Sequence, residues 1–197
     1  LVVLALSAKL LRWRQRWVQS YLTLLLVTVL YQTQVLLPFT FVYPKAVAQV
    51  APADVTFRFM VSNVKMSNHE AARYLALVDQ VNPDVVQVIE LSQWWQEQLK
   101  PLRTAYPYYV EEPHENAYGM GLYSRIPLTN MKTYHFAGAT TPTLYAELAF
   151  PAGSQIAFYG VHPRPPLPSN LVTVADRELL KVARQVRQAS LPVVVAG

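Results

Sequence analysis

Residues 57–91 constrain the fold most, because two short apolar runs flank a segment with helical periodicity. The runs 57–61 and 85–89 have the length and composition of buried strands. In a strand–helix–strand unit the two strands are parallel, and the crossover between them is expected to be right-handed. Both carboxyl ends then lie at one edge of the sheet, which is where open α/β sheets place their sites.

Oxygen-bearing side chains follow both predicted strands. Asn63 comes after the first strand and Glu90 after the second. Because adjacent strands lie about 4.8 Å apart, two such side chains can share one hard cation. Carboxylate and amide oxygens suit Mg²⁺, which keeps several waters and takes only one or two carboxylates. His162 ends another predicted strand, and its imidazole can bind or protonate a phosphate oxygen.

Each of these three residues also has an ordinary structural interpretation. Asparagine is a common turn residue after a strand, Glu90 can be the first solvated position, and His162 can cap a loop because a proline follows it. Taken singly, each residue favours the ordinary interpretation. Taken together, they favour a site, because all three fall at one edge of the predicted sheet.

The net charge of +5 is concentrated at the N-terminus. Residues 54–197 hold as many acidic as basic side chains, whereas residues 1–53 hold no acid and the basic residues Lys9, Arg12, Arg14, Arg16 and Lys45. This distribution indicates membrane topology rather than a nucleic-acid surface. The absence of cysteine excludes disulfides and thiolate metal sites.

Residues 17–44 carry no charge and predict a transmembrane helix. As a helix this stretch covers roughly 42 Å, against a hydrocarbon core of about 30 Å. Trp17 and Tyr21 near one end and Tyr43 at the other suit the two interfacial belts. The alternatives are a buried helix of a soluble protein and a cleaved signal peptide.

The remaining divisions follow from that span. Residues 1–16 are predicted to be the end of an upstream apolar segment and a basic cytoplasmic loop, residues 45–53 a linker, and residues 54–197 a globular domain. Because the arginines should stay in the cytoplasm, the globular part is expected to be extracytoplasmic, at the cell membrane. The chain starts on Leu1 and stops after an apolar run, so we expect a fragment truncated at both ends.

Other elements of the globular part are predicted from periodicity and turn residues. One helix is capped by Ser67 or Asn68, carries Glu70 in its first turn and ends at Asn82, and a second is capped by Ser92. A third helix covers residues 170–189, with an inward stripe formed by Leu171, Val174, Leu179, Val182 and Val186. Further strands are predicted at 106–110, 119–124, 144–150, 155–161 and 192–196, with a polar loop at 111–116 and a proline-rich loop at 163–168.

The order of these motifs resembles the endonuclease/exonuclease/phosphatase superfamily. The resemblance covers about residues 55–197 and rests on Asn63 in VSNVK, Glu90 in VIEL, the segment GMGLYSRIPL, Gly160-Val161-His162 and the closing VVVAG. It implies an α/β (α+β) fold, a partial four-layer sandwich of the deoxyribonuclease-I-like type, here preceded by a transmembrane helix. The chain looks closest to bacterial members of the family that carry N-terminal membrane helices.

The resemblance also implies roles for single residues. Glu90 would bind Mg²⁺ or Mn²⁺ with Asn63 beside it, and His162 would contact the scissile phosphate. Ser124 and Arg125 match a structural turn near the site. Arg177 matches an arginine on the following helix, although an outward, solvated position is the alternative for it.

The family pattern continues beyond the motifs present here. After an apolar strand like 193–197 the family has an Asp-x-Asn pair, and much later an Asp-His pair, and this chain ends before both. The chain is also expected to lack the strands of the second sheet. Asp176, placed mid-helix, and Glu147, placed in a strand, are not obvious substitutes, so the fragment is expected to be inactive alone.

Two functions stay open. The first is a membrane-anchored, Mg²⁺-dependent phosphodiesterase, nuclease-like enzyme or phosphatase, acting on a phosphate ester in nucleic acid, a lipid head group or a small molecule. The second is a non-catalytic binding module with the same fold. A transport role is disfavoured because the span holds no charge. The lipid bilayer is the expected partner of residues 17–44, and no protein partner is inferred.

Overall fold

The computed structural model describes residues 2–43, 56–163 and 173–197. The chain divides into two compact units, Leu1–Asp54 and Val55–Gly197. The predicted linker at 45–53 lies outside the described residues, as does the proline-rich loop beyond Pro163.

The N-terminal unit is one long helix, α1 (Val2–Leu36), followed by a short 3₁₀ turn, Leu37–Phe39. Residues 12–16, predicted as a loop, are helical, because arginine and tryptophan are compatible with a helix interior. Pro38 lies in the 3₁₀ turn, since proline cannot continue an α-helix. The segment Trp13–Phe39 is long and apolar enough to cross a membrane, and a signal sequence near the N-terminus would meet the same test.

The second unit contains two four-stranded sheets. Sheet A has the order β1-β2-β4-β3 and sheet B the order β5-β6-β7-β8. The elements of sheet A and its helices are β1 (Phe59–Asn63), α2 (Ala71–Val81), β2 (Val85–Ile89), α3 (Gln93–Gln98), α4 (Leu102–Ala105), β3 (Tyr108–Glu112) and β4 (Met120–Ser124). Those of sheet B are β5 (Leu128–Tyr134), β6 (Thr143–Ala149), β7 (Gln155–Gly160), α5 (Thr173–Gln188) and β8 (Val193–Ala196).

The two sheets pack face to face, and helices cover both outer faces. Between the sheets, Val85 and Leu122 of sheet A contact a cluster that includes Phe158 of sheet B. Val86 and Val88 point the other way, toward α2, α3 and α4, because successive strand residues alternate faces. On the far side, Val182 of α5 packs on sheet B. The four-layer sandwich is therefore confirmed.

The expectation that the chain lacks a second sheet is wrong. Sheet B is formed by residues within the chain, and β5, which was not predicted, is its first strand. The sequence of β5, LTNMKTY, is mostly polar because much of it faces solvent. Asn130 breaks the ladder with a positive φ of 48° between the paired residues Thr129 and Lys132. Both features hide the strand from a search for apolar runs.

Other element boundaries also differ from prediction. β1 begins two residues later than expected, so Asn63 is its last residue rather than the residue beyond it. Glu111 and Glu112, predicted in a loop, belong to β3. Glu111 can lie there because Arg103 pairs with its carboxylate at 2.6 Å. Helix α2 begins at Ala71, and Asn68 instead accepts a hydrogen bond from the backbone of Glu70 in the preceding turn.

Two helices test the capping and stripe predictions. Ser92 caps α3 as predicted, since its side chain accepts a hydrogen bond from the backbone N–H of Trp95. In α5 the prediction for Leu179 is wrong, because its side chain is exposed, while Val182 is buried. Asp176 lies in the first turn of α5 and not mid-helix.

Candidate active site

Asn63 and Glu90 lie together at the carboxyl ends of two parallel strands. β1 pairs with β2 in parallel, and Asn63 lies opposite Ile89, the residue before Glu90. The side-chain Nδ2 of Asn63 donates a hydrogen bond of 2.7 Å to Oε1 of Glu90. The strand–helix–strand prediction is thus confirmed in its strand direction, and it brings these two side chains into contact.

The orientation of the Asn63 amide follows from its second hydrogen bond. Its Oδ1 accepts from the backbone N–H of Lys65 at 2.8 Å, so its NH₂ group must face Glu90. The other oxygen of Glu90, Oε2, accepts from the backbone N–H of Met66 at 3.0 Å. Glu90 is therefore held by one donor on each oxygen, both from β1 or the loop that follows it.

Glu90 and two residues that line the same pocket have left-handed backbone conformations, although none of the three is a glycine. Lys65 has a φ of 57°, Glu90 of 63° and Ala117 of 64°. All three line one open pocket of about 450 Å³, together with Asn63 and Met66. Such a conformation costs about 1–3 kcal/mol at each residue and persists only where the surroundings enforce it. Clustering of this kind is typical of functional sites.

Trp95 fastens the loop after β1 to the core. Its indole Nε1 donates to the backbone carbonyl of Lys65 at 3.3 Å, and the same carbonyl accepts from the N–H of Asn68 at 2.7 Å. The Trp95 side chain is fully buried and packs edge-on against Tyr74. The loop that presents Met66 to Glu90 is therefore anchored by a core residue.

His162 approaches from sheet B. It follows β7, is partly buried, and its ring centroid lies 5.6 Å from that of Tyr118. Burial lowers the pKa of His162, and the negative charge of Glu90 acts in the opposite direction and raises it.

The two sheets approach closely near this point. A Cβ on Gly160, the last residue of β7, would lie 2.9 Å from Nε2 of Gln87 in β2. On the sheet A side, a Cβ on Gly119 would clash with the backbone carbonyl of Leu91, the residue after Glu90. A side chain at position 119 would force the backbone to shift, whereas at position 160 the end of the flexible Gln87 side chain would have to move.

Glu178 is a buried carboxylate that the sequence analysis missed. Its side chain is 0% exposed, and its Oε1 accepts a hydrogen bond of 2.7 Å from the hydroxyl of Thr143. Burial raises the pKa of Glu178, while the Thr143 hydroxyl and the backbone N–H of His162 lower it. The signal was its spacing: Glu178 lies four residues before Val182, on the apolar stripe.

Two further predicted residues lie elsewhere. Ser124 pairs with Val85 at the opposite edge of sheet A, because β4 runs antiparallel to β2. Its hydroxyl bonds to the backbone of Ile126, and the neighbouring Arg125 guanidinium lies 4.8 Å from the ring centroid of Tyr106. The turn is structural, as predicted, but it is not near the site. Arg177 is exposed on α5.

A divalent cation fits the donor set at Glu90. Among the residues that the structure describes, no group of three or more His, Cys, Asp or Glu side chains converges on one point. Each oxygen of Glu90 accepts a single hydrogen bond, and a carboxylate oxygen has room for a further interaction. Mg²⁺ suits such a site, since it is commonly bound through one or two carboxylates and several waters.

The family model described as Endonuclease/Exonuclease/phosphatase family matches residues 60–197. No curated protein matches the chain. Among solved structures, humanized D. rerio TDP2 aligns with a TM-score of 0.58 at 17% identity, covering 71% of this chain and 59% of that one. An endonuclease/exonuclease/phosphatase from Beutenbergia cavernae DSM 12333 aligns with a TM-score of 0.58 at 19% identity, covering 72% and 46%.

A further structure, D. rerio TDP2 complexed with single-strand DNA product, has a TM-score of 0.57 at 16% identity, covering 71% and 58%. The chain therefore spans less than two thirds of the length of each of these three structures. At these identities the likeness establishes the fold.

Proposed function

The chain belongs to the endonuclease/exonuclease/phosphatase family, and on this basis we propose that it is part of a membrane-anchored, divalent-metal-dependent phosphoester hydrolase. One observation carries the proposal. The Glu90 carboxylate is held at the ends of β1 and β2 by Asn63 and by the N–H of Met66, at a pocket whose lining residues Lys65 and Ala117 have positive φ angles.

Glu90 is the proposed ligand of Mg²⁺ or Mn²⁺. When bound there, the cation would neutralise charge on phosphoryl oxygens. Asn63 and the N–H of Met66 keep both carboxylate oxygens in a fixed orientation at the pocket. Since the NH₂ group of Asn63 faces Glu90, its geometry supports a role in orienting the carboxylate.

His162 is the proposed phosphate contact. Because burial lowers its pKa, the imidazole is mainly neutral at pH 7, with one N–H to donate and one nitrogen to accept. The donor would hydrogen-bond a phosphate oxygen and stabilise the charge that develops on it. His162 follows β7 of sheet B, whereas Glu90 follows β2 of sheet A, so the two residues come from different sheets.

A phosphate ester is the proposed substrate class. Residues 54–197 are formally neutral, so long-range attraction of a polyanion contributes little. The groups of the pocket itself would then supply most of the recognition. Nucleic acid, a lipid head group and a small phosphoester all present the same phosphodiester or phosphomonoester chemistry, and the assay below separates them.

Membrane anchoring is proposed for the uncharged part of the segment Trp13–Phe39, which begins after Arg16. The arginines at 12, 14 and 16 would stay in the cytoplasm, and the globular unit would lie outside. A reporter enzyme fused after residue 53 tests this topology. Signal from the extracytoplasmic side supports it, while signal from the cytoplasm contradicts it, and release of a processed soluble product would identify a signal sequence instead.

The activity is tested on the complete protein. Mn²⁺ binding is measured by electron paramagnetic resonance, and Mg²⁺-dependent hydrolysis is measured with bis(4-nitrophenyl) phosphate, 4-nitrophenyl phosphate, a single-stranded oligonucleotide and phospholipid vesicles. Glu90→Gln should lose both ion binding and turnover. Glu97→Gln removes an exposed carboxylate on α3 and is the matched control. A wild-type protein that turns over none of these substrates favours the non-catalytic binding module.

A further inference from the structure

A fully buried carboxylate on α5 has no evident role in packing. The Glu178 side chain is 0% exposed, whereas the neighbouring position of the same helix face is Val182, an ordinary apolar core residue. Burying an ionisable group is unfavourable unless its oxygens find donors. An apolar residue at position 178 would pack α5 on sheet B without that penalty, so the contacts of Glu178 need explanation.

Those contacts lie where β7 ends. Oε1 of Glu178 accepts from the hydroxyl of Thr143, which is itself fully buried and is the first residue of β6. β6 and β7 pair antiparallel with Leu144 opposite Gly160. Thr143 therefore lies level with the residue that follows β7, directly before His162. The carboxylate is fixed to the part of the sheet from which the His162 segment leaves.

The second oxygen of Glu178, Oε2, is buried without a partner of its own among the residues that the structure describes. The backbone N–H of His162 is the group whose dipole favours the charged carboxylate, in addition to Thr143. A buried acceptor of this kind usually has a donor, and the N–H of His162, one residue beyond the position opposite Thr143, is the candidate.

We propose that Glu178 is a positioning residue that holds the backbone of His162, so that the imidazole stays against Tyr118. The proposal rests on the proposed function, because it assigns Glu178 to the phosphate contact of that reaction. It does not need the reaction to be observed, because the position of His162 can be measured without turnover.

Two substitutions separate positioning from packing. Glu178→Met keeps much of the volume but removes both acceptors, and replacing a buried charge by an apolar group of similar shape is often neutral or stabilising. Glu178→Gln can turn its Oε1 toward the N–H of His162 and donate its NH₂ to the Thr143 hydroxyl, since a hydroxyl both donates and accepts. Positioning thus predicts loss in the first variant and rescue in the second.

The control is Asp176→Asn. Asp176 lies in the first turn of the same helix and is exposed, so this variant removes one negative charge from α5 without touching the buried contact. Effects shared by Asp176→Asn and Glu178→Met would come from the net charge of the helix and would overturn the proposal.

The experiment uses nuclear magnetic resonance of the complete protein in metal-free buffer. The readouts are the backbone amide shift of His162 and the nuclear Overhauser contact between the His162 and Tyr118 rings. In Glu178→Met we expect the His162 amide resonance to move and the contact between the two rings to disappear. In Glu178→Gln and Asp176→Asn we expect both readouts to match the wild type. Thermal unfolding of each variant shows whether it is folded.

Kinetics supply the second arm. Moving a catalytic group by about 1 Å can lower a rate by about 10²-fold. We therefore expect kcat to fall about 10- to 100-fold in Glu178→Met, while the affinity for Mn²⁺ stays unchanged. Glu178→Gln should stay within about threefold of the wild type. If Glu178→Met folds and leaves the His162 signals unchanged, the proposal is overturned. If it does not fold, the same readouts are taken on Glu178→Leu, a second apolar variant that lacks both acceptors, and unchanged His162 signals there overturn it.

Failure of the proposed function gives a different pattern. A wild-type protein without turnover, but with His162 signals that respond to Glu178→Met and not to Asp176→Asn, would leave the positioning role standing and remove the catalytic one.

Discussion

The globular unit contains two strand–helix–strand units that present polar groups in opposite ways. In β1-α2-β2, the helix buries only small or apolar side chains such as Ala71 and Val78, and the polar groups are held by the loop after β1. In β7-α5-β8, the helix itself buries the carboxylate Glu178 beneath the segment that carries His162. Both units have parallel strands, but they differ in where their polar contacts are made.

We expect this difference to separate residues needed for cation binding from residues needed for stability. The contacts of Glu90 are made by partly or fully exposed groups next to each other in the chain, so losing them should change little in the free energy of unfolding. The contacts of Glu178 are buried and join β6, β7 and α5, so changes there should affect both stability and the position of His162. The following predictions test that contrast.

The largest effect is expected for Glu90→Ala. Removing the proposed cation ligand should lower kcat/KM by about 10³-fold, or roughly 4 kcal/mol in transition-state stabilisation. The melting temperature in metal-free buffer should change little, because the carboxylate contacts lie at the rim. Calorimetry with and without EDTA checks this, and a large loss of stability without metal would show Glu90 to be structural.

His162→Ala should come next. Loss of a positioned acid, base or hydrogen-bond donor typically lowers a rate by 10²- to 10⁴-fold, and we expect about 10²-fold here because the ion site is kept. Mn²⁺ affinity, measured by titration, should remain within a few fold of the wild type. Equal losses in ion affinity and rate would mean that His162 and the proposed ion site at Glu90 do not act independently.

Asn63→Ala should have a smaller effect. A residue that orients a metal ligand typically contributes 10- to 100-fold in affinity, so the dissociation constant for Mn²⁺ should rise by about tenfold. Asn68→Ala is the control on the same loop, since Asn68 accepts only from the backbone of Glu70 and does not contact Glu90. The same rise in both variants would place the effect in the loop as a whole.

The smallest effect is on the pH dependence of stability. Because the pKa of His162 is lowered in the folded protein, unfolding takes up a proton below about pH 6.5. The contribution of His162 to the free energy of unfolding is therefore lost as the pH falls through its pKa in the folded protein. Metal-free melting curves between pH 7.5 and 5 should therefore decline less in His162→Gln than in the wild type.

His69→Gln, which removes an exposed imidazole, is the matched control for that substitution. Glu178 has the opposite effect, because its pKa is raised in the folded protein. Its contribution to the free energy of unfolding is present below about pH 4.5 and is lost as the pH rises through its pKa in the folded protein. A decline that is as steep in His162→Gln as in the wild type would mean that other groups dominate.

The contacts that sequence reasoning found are local ones. Asn63 and Glu90 could be paired because β1 and β2 are neighbours in the chain, and parallel pairing follows from the helix between them. The Ser92 cap was found for the same reason, since its partner Trp95 is three residues away. In each case the relevant geometry is set within one supersecondary unit.

Long-range contacts were missed. Ser124 was expected near the site because the family resemblance implied it, but an antiparallel strand carries it to the far edge of sheet A. Glu178 was overlooked because a charged residue is ordinarily assigned to the solvent side of a helix. Its partners, Thr143 and His162, come from two other segments, and no spacing in the sequence connects them.

The left-handed backbone at Lys65, Glu90 and Ala117 has a consequence for binding kinetics. The rim of the pocket already has its unfavourable conformation before any ligand arrives, held there by Trp95 and the strand ends. Capture of a cation would then require no slow rearrangement of the loop, and its rate would be set by loss of water from the ion rather than by the protein. Stopped-flow traces should accordingly contain a single phase.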